Sequence, residues 1–139
     1  MPTHTRNYLA IDLGAESGRA ILGRLTNQEL QIEEIHRFPN GAMQVLGHLH
    51  WNIFSLYNEI KIGLAKCAKD VTTDLTGFGI DTWGVDYALV GSKGELLGLP
   101  YIYHDTRTDG MMDQAQSICS ARDIYQTTGI QSIFFNTLY

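Results

Sequence analysis

The most constraining stretch of this chain is Asp12-Leu13-Gly14-Ala15-Glu16-Ser17-Gly18-Arg19, which follows the apolar run Tyr8-Leu9-Ala10-Ile11. A buried strand over 8–13 delivers one carboxylate at its end. The chain then turns at Gly14, and residues 19–25 return as an antiparallel partner. Two glycines flanking small and hydroxyl residues let backbone amides approach a ligand closely, because no Cβ intervenes. Successive amides in such a turn suit an anion, phosphate above all. Asp12 would repel a phosphate, so its expected task is to hold a divalent cation, or that cation's water, bridging to the phosphate oxygens. The plain alternative is a hairpin turn with an exposed Asp, and Asp-x-Gly alone does not decide between the two.

The rest of the chain supplies a frame for that hairpin. Thr26-Asn27-Gln28 is expected to turn into a third strand over 29–38. Leu30 and Ile32 alternate there, but the phase slips to Ile35 and Arg37, which predicts a bulge near Glu33-Glu34. A loop over 39–47 and a short extended piece over 49–51 lead to a helix. Asn52 is its expected N-cap, and Ile53, Leu56, Ile60, Leu64 and Cys67 share one face. Gly63 inside that helix costs about 1 kcal/mol relative to Ala, which suggests close packing on a sheet. A fourth strand over 75–80 ends at Asp81-Thr82-Trp83-Gly84, a further strand covers 85–90, and Gly91-Ser92-Lys93-Gly94 turns into 95–97. After an extended piece at 101–103, a helix is expected from Thr108 or Asp109 to Cys119. Ser120-Ala121-Arg122-Asp123 reads as a capping box for another, which Gly129 stops.

Three strands, a crossover helix and another strand predict an α/β fold with a mixed sheet. In such sheets ligands collect beyond the carboxyl ends of the strands. Asp12 and Asp81 both stand at strand ends, each before a glycine-bearing turn. If the two strands are parallel neighbours, both carboxylates enter one crevice.

Composition removes several function classes. The net charge of −5 argues against a nucleic-acid partner, whose footprint is a basic surface. No apolar stretch approaches the length of a membrane span, and the polar start lacks a signal-peptide core, so a cytoplasmic protein is expected. Cys67 and Cys119 lie far apart without a Cys-x-x-Cys and read as reduced packing residues. At 139 residues the chain is long enough for one domain with a core. It stops on the apolar run Phe134-Phe135-Asn136-Thr137-Leu138-Tyr139, which leads us to expect a longer protein cut short and self-association around 133–139.

Asp-x-Gly-x-x-x-Gly-Arg on a first hairpin, in a β-β-β-α-β order, resembles the nucleotide-binding half-fold shared by actin and the sugar kinases. Four further blocks narrow the resemblance: Glu34-Ile35-His36-Arg37-Phe38; Gly79-Ile80-Asp81-Thr82-Trp83-Gly84-Val85-Asp86; Tyr103-His104-Asp105-Thr106-Arg107-Thr108; and Gly129-Ile130-Gln131 with Phe135-Asn136-Thr137-Leu138-Tyr139. Together, from about Tyr8 to Tyr139, they are similar to the FGGY carbohydrate kinase family, and within it to the kinases of L-rhamnulose. The fold this implies is α/β of the ribonuclease H-like, actin-type ATPase half-fold, with a mixed sheet and helices on both faces. The activity it implies is phosphoryl transfer from ATP, with Mg²⁺, to the primary hydroxyl of L-rhamnulose, chemistry that is mostly positioning and charge stabilisation.

By that resemblance Asp12, Gly14, Ala15, Glu16, Ser17, Gly18 and Arg19 form the ATP phosphate site, with Asp12 the carboxylate near Mg²⁺. Gly84 matches a glycine whose backbone touches the sugar, and Asp105 and Arg107 match an Asp-x-Arg at the sugar pocket. Asp81, Trp83 and Asp86 complete that candidate site, since a carbohydrate wants carboxylates for its hydroxyls and an aromatic face for its C–H groups. The resemblance puts the general-base Asp and the second, nucleotide lobe in a C-terminal part beyond residue 139. No catalytic residue is therefore expected in 1–139, an N-terminal domain expected to be inactive alone.

Each site residue has a structural rival. Arg19 pairs with Glu16 on the surface, Trp83 is core, Asp86 is a solvated strand residue, and Asp105 and Arg107 cap the following helix and pair with each other. His48 and His50 share a strand face but lack a third metal ligand. His36 and His104 have no evident partner, although His104 adjoins Asp105. Glu16 departs from the small or hydroxyl residue usual at its place in the family, so it must point away, pair with Arg19 or join the metal shell. Alternative functions are another FGGY ketose kinase, for fuculose or xylulose, a non-catalytic sugar- or ATP-binding regulator, and an actin-like assembly module.

Overall fold

The structure, a computed structural model, describes residues 5–27, 29–71 and 74–139. The chain divides into two compact units, one formed by Met1–Gly41 and Asn52–Trp83, the other by Ala42–Trp51 and Gly84–Tyr139.

The first unit is a four-stranded sheet with a helix on it. Strands β1 (Thr5–Leu13), β2 (Ser17–Thr26) and β3 (Glu29–Pro39) are consecutive antiparallel neighbours. The expected turn between β2 and β3 falls partly on Gln28, which lies outside the described residues. Helix α1 (Ile53–Lys66) crosses over, and β6 (Gly77–Asp81) returns parallel to β1, so the sheet order is β3-β2-β1-β6. Alternation along β1 sends Leu9, Ile11 and Leu13 to the helix side, where Ala20, Leu22, Phe38, Leu56 and Cys67 complete the core. Burial pushes the Cys67 thiol pKa up, as for a packing cysteine. Asn52 caps α1 by accepting the Ser55 N–H at 3.1 Å. A Cβ on Gly63 would lie 2.9 Å from the Ala20 Cβ, so the glycine lets α1 approach β2 closely. The bulge falls one residue later than expected. Ala20 pairs with His36 and Ile21 with Glu34, leaving Ile35 as the extra residue, which turns inward against the core.

The second unit departs further from sequence expectation. The segment 39–47, read as a loop, contains β4 (Ala42–Val45), paired antiparallel with β5 (His48–Trp51). Its turn uses positive φ at both Leu46 (51°) and Gly47 (87°), and leucine does not advertise such a turn. The expected strands over 85–90 and 95–97 reduce to one bridge, Val90 with Leu96, flanked by Gly91 N–H to Glu95 O and Leu97 N–H to Leu89 O. Pairing stops there because Gly98, at φ 150°, leaves the extended region. The helix expected from 108 to 119 is a 3₁₀ turn, Thr106–Thr108, followed by α2 (Met111–Ile118), interrupted by Gly110 at φ 76°. Helix α3 (Ala121–Thr128) opens and closes as expected. Ser120 Oγ accepts the Asp123 N–H (3.1 Å) and donates to its carboxylate (2.6 Å), and Gly129 closes the helix at φ 69°.

Candidate functional site

In the first unit, register brings the predicted carboxylates together. Asp12 pairs with Asp81 on one side and with Arg19 on the other, and Arg19 pairs with Arg37 beyond it. One row of the sheet thus reads Asp81, Asp12, Arg19, Arg37 at the carboxyl ends of β1 and β6. Arg19 forms an ion pair with Asp12 through Nη2 and Oδ2, both side chains part-buried. The alternative in which Arg19 pairs with Glu16 on the surface is thereby set aside. Glu16 is exposed, and its carboxylate makes no hydrogen bond or ion pair among the described residues. Arg37 forks onto Glu34 with Nε at 3.0 Å and Nη2 at 2.6 Å, and its Nη1 donates to Ser17 Oγ at 3.4 Å. That fork lowers the pKa of Glu34 and raises that of Arg37.

The glycines of the turn serve the chain's own packing. A Cβ on Gly14 would sit 2.9 Å from the Ser17 carbonyl oxygen, and one on Gly18 would collide with the Phe38 ring. Gly14 N–H donates to Ser17 O at 3.0 Å and closes the turn. From β3's end, Asn40 donates through Nδ2 to Gly14 O (2.7 Å) and through its backbone N–H to Glu16 O (2.9 Å). No local pattern in the sequence marks Asn40.

Asp81 is exposed, whereas Trp83 packs against the core of the first unit. Among the described residues no group of three or more His, Cys, Asp and Glu side chains could hold a metal ion. Asp12, with Asp81 in register beside it, would offer Mg²⁺ only one or two carboxylates, a number that ion accepts when its other oxygens come from phosphates and water.

Gly84, Asp86, Asp105 and Arg107 belong to the second unit. Asp86 accepts the Trp51 indole N–H at 2.7 Å and a bond from the Tyr103 backbone. Burial raises its pKa, and these bonds, with nearby His104 and Arg107, offset the rise only in part. Asp105 is 4% exposed and its carboxylate is used within the chain. It accepts the Leu49 N–H (2.6 Å) and the Arg107 N–H (3.0 Å) and faces His48 Nδ1 at 3.1 Å. Burial alone would raise its pKa, but these bonds outweigh burial and lower it. The Arg107 guanidinium lies over the Tyr101 ring, 4.3 Å from its centroid, with Nε 4.0 Å from Asp105.

These four residues do not line one pocket. Asp86 and Arg107 border a cavity of about 20 Å³ with Tyr103 and Phe135, room for about one water molecule. Gly84 borders a different cavity of ≈ 300 Å³ with Ile130, Gln131 and Asn136. The two amide side chains there are polar groups that the site prediction did not include. A Cβ on Gly84 would meet nothing within 4 Å.

The described histidines pack or pair within the chain. His48 and His50 share a face, as predicted, but both rings pack on Tyr101, with centroids 5.6 and 4.3 Å away. His36, expected to stand alone, has Nε2 2.6 Å from Glu59 Oε2 and accepts from Lys66 Nζ at 2.9 Å. His104 packs edge-on against Tyr103.

No protein-family profile matches the sequence. Among solved structures the chain is similar to gluconate kinase from Lactobacillus acidophilus, with a TM-score of 0.77 and 14% identity over 95% of this chain and 26% of that one. It is also similar to ligand-bound xylulose kinase from Lactobacillus acidophilus (TM-score 0.70, 12% identity, 87% and 24% covered). A third is Plasmodium falciparum glycerol kinase with ADP (TM-score 0.64, 20% identity, 96% and 27% covered). No helix among the described residues is long and apolar enough to cross a membrane. The chain spans about a quarter of the length of the kinases it matches, and over that span it has their α/β fold with a mixed sheet.

Proposed function

We propose that this chain is the N-terminal part of an FGGY-family carbohydrate kinase, a rhamnulokinase, that transfers phosphate from ATP to the primary hydroxyl of L-rhamnulose. The observation that carries the reading is the in-register pair Asp12 and Asp81 at the ends of parallel neighbouring strands, next to a glycine hairpin bearing Arg19. The structural likeness to gluconate, xylulose and glycerol kinases supports phosphoryl transfer to a polyol, and the sequence blocks support rhamnulose within that class.

In this reading hairpin 14–18 receives the phosphates, and Arg19 is the positive partner of Asp12. Mg²⁺ on the phosphates would neutralise charge on the transferring group, with Asp12 as its protein carboxylate. Gly84 offers backbone to the sugar: neither packing nor a positive φ requires glycine there. Asp86 and Arg107, expected at the sugar too, border a separate cavity with room for about one water, and Asp105 holds the Arg107 segment in place. The general base, a carboxylate within hydrogen-bond reach of the attacking hydroxyl, lies outside 1–139. Exposed Phe134 and Leu138 favour self-association of this chain.

The test is ADP release on adding L-rhamnulose, L-fuculose or D-xylulose to the full reading frame and to this chain in parallel. Rhamnulose-dependent release from the long form alone is the expected result. Release with fuculose or xylulose instead reassigns the substrate. Sugar binding without turnover in the long form overturns the kinase reading in favour of a regulator.

A further inference from the structure

Asn40 holds two backbone carbonyls of hairpin 14–17 from outside it. Its side-chain amide holds the Gly14 carbonyl (2.7 Å) and its backbone N–H the Glu16 carbonyl (2.9 Å). A peptide group is planar and trans, so the carbonyl of one residue and the N–H of the next point in opposite directions. Drawing the Gly14 and Glu16 carbonyls towards Asn40 therefore aims the N–H groups of Ala15 and Ser17 the other way. Gly14 N–H is already spent on Ser17 O. Ala15 N–H donates to nothing among the described residues. The Ser17 hydroxyl accepts from Arg37 Nη1, which leaves its own hydrogen to donate. Arg37 and Asn40 reach the hairpin because the extra residue Ile35 shifts the register of β3 ahead of them.

We propose that Asn40 is the positioning residue of this hairpin, and that the donors it presents to an anionic phosphate group are the amides of Ala15 and Ser17. The inference rests on the phosphate-binding reading above and deepens it. It names which donors meet the anion and what aims them. Asn40 itself touches no phosphate and acts through two carbonyls on the far side of the turn.

The test is a titration of the isotopically labelled chain with inorganic tripolyphosphate, followed by amide resonances. In the parent sequence the Ala15 and Ser17 amides should shift most and Gly14 least. Asn40→Ala should weaken binding about tenfold, the worth of one or two hydrogen bonds, with little change in Tm. Asn40→Ser retains a short donor and should recover part of the affinity, and it serves as the probe if the alanine variant fails to fold. A merely structural Asn40 would lower Tm without changing which amides respond. Unchanged affinity in both variants, or a response centred on Gly14, overturns the role of Asn40 while phosphate binding stands. If tripolyphosphate moves no amide between Gly14 and Arg19 even in the parent chain, the phosphate reading itself fails, and this inference with it.

Discussion

Two aspartates of the second unit were read alike from sequence, as carboxylates for a sugar, yet their surroundings drive them in opposite directions. Asp105 is buried, but two backbone N–H groups and His48 favour its charged form. Asp105→Ala leaves two part-buried donors without their acceptor, and we expect a loss of about 1 kcal/mol or more for each, read by urea denaturation. Its lowered pKa fixes the sign with pH. The stabilisation is present above the ordinary carboxylate value of 3.8 and disappears as pH falls through the depressed value, so parent and variant should converge in acid. Asp86 has the opposite sign, because burial raises its pKa and the Trp51 bond offsets this only in part. Its folded form holds the proton more tightly than the unfolded chain does, so stability declines as pH rises from 3.8 through the raised value. Asp86→Asn removes that decline. The Tm of Asp86→Asn relative to the parent should therefore rise between about pH 3 and about pH 7. A relative Tm that falls over this range would show that the site favours the carboxylate.

At the scale of elements, the clearest prediction sits where α1 meets β2. Replacing glycine by alanine inside a helix usually gains about 1 kcal/mol. At Gly63 the new methyl would stand 2.9 Å from the Ala20 Cβ, within backbone-anchored packing that cannot swing aside. Gly63→Ala should therefore destabilise, by about 1–3 kcal/mol for an overpacked core, and Ala20→Gly should recover part of the loss. A stabilised Gly63→Ala would mean that α1 can slide on the sheet. The same helix shows what was legible in the sequence and why. Asn52, the apolar face from Ile53 to Cys67, Asp12 and Asp81 are written in local patterns of spacing and capping, and the parallel pairing of β1 with β6 follows from a single crossover. The β4–β5 hairpin was not legible, because its turn places Leu46 at positive φ, a conformation that sequence alone does not assign to leucine. The partners of Asp105, Asp86 and Asn40 were equally hidden, since Leu49, Trp51 and Gly14 lie far from them along the chain.

At the scale of the whole molecule, the two units interleave along the sequence. The hairpin 42–51 sits between β3 and α1 in the chain, but it is tied to residues 84–139. Trp51 N–H donates to Pro100 O (2.9 Å), Ile102 N–H to Leu49 O (3.1 Å), and the Asp86 and Asp105 carboxylates hold Trp51 and Leu49. Those bonds join segments on either side of α1, so the second unit cannot form until most of the chain has been made. The first unit has its own core in Leu9, Ile11, Leu22 and Phe38. Proteins open in contiguous cooperative blocks whose protection follows local packing, and each unit is expected to form such a block. Leu22→Ala, which empties a fully buried site, should cost about 2–5 kcal/mol and speed hydrogen exchange throughout β1, β2 and β6. The Leu49, Trp51 and Ile102 amides should keep their protection in that variant. Asp105→Ala should give the converse pattern, exposing those three amides while the sheet remains closed. If either substitution accelerates exchange in both sets equally, the chain opens as one block. The bonds that join 42–51 to 84–139 would then draw their stability from the sheet of the first unit as well as from one another.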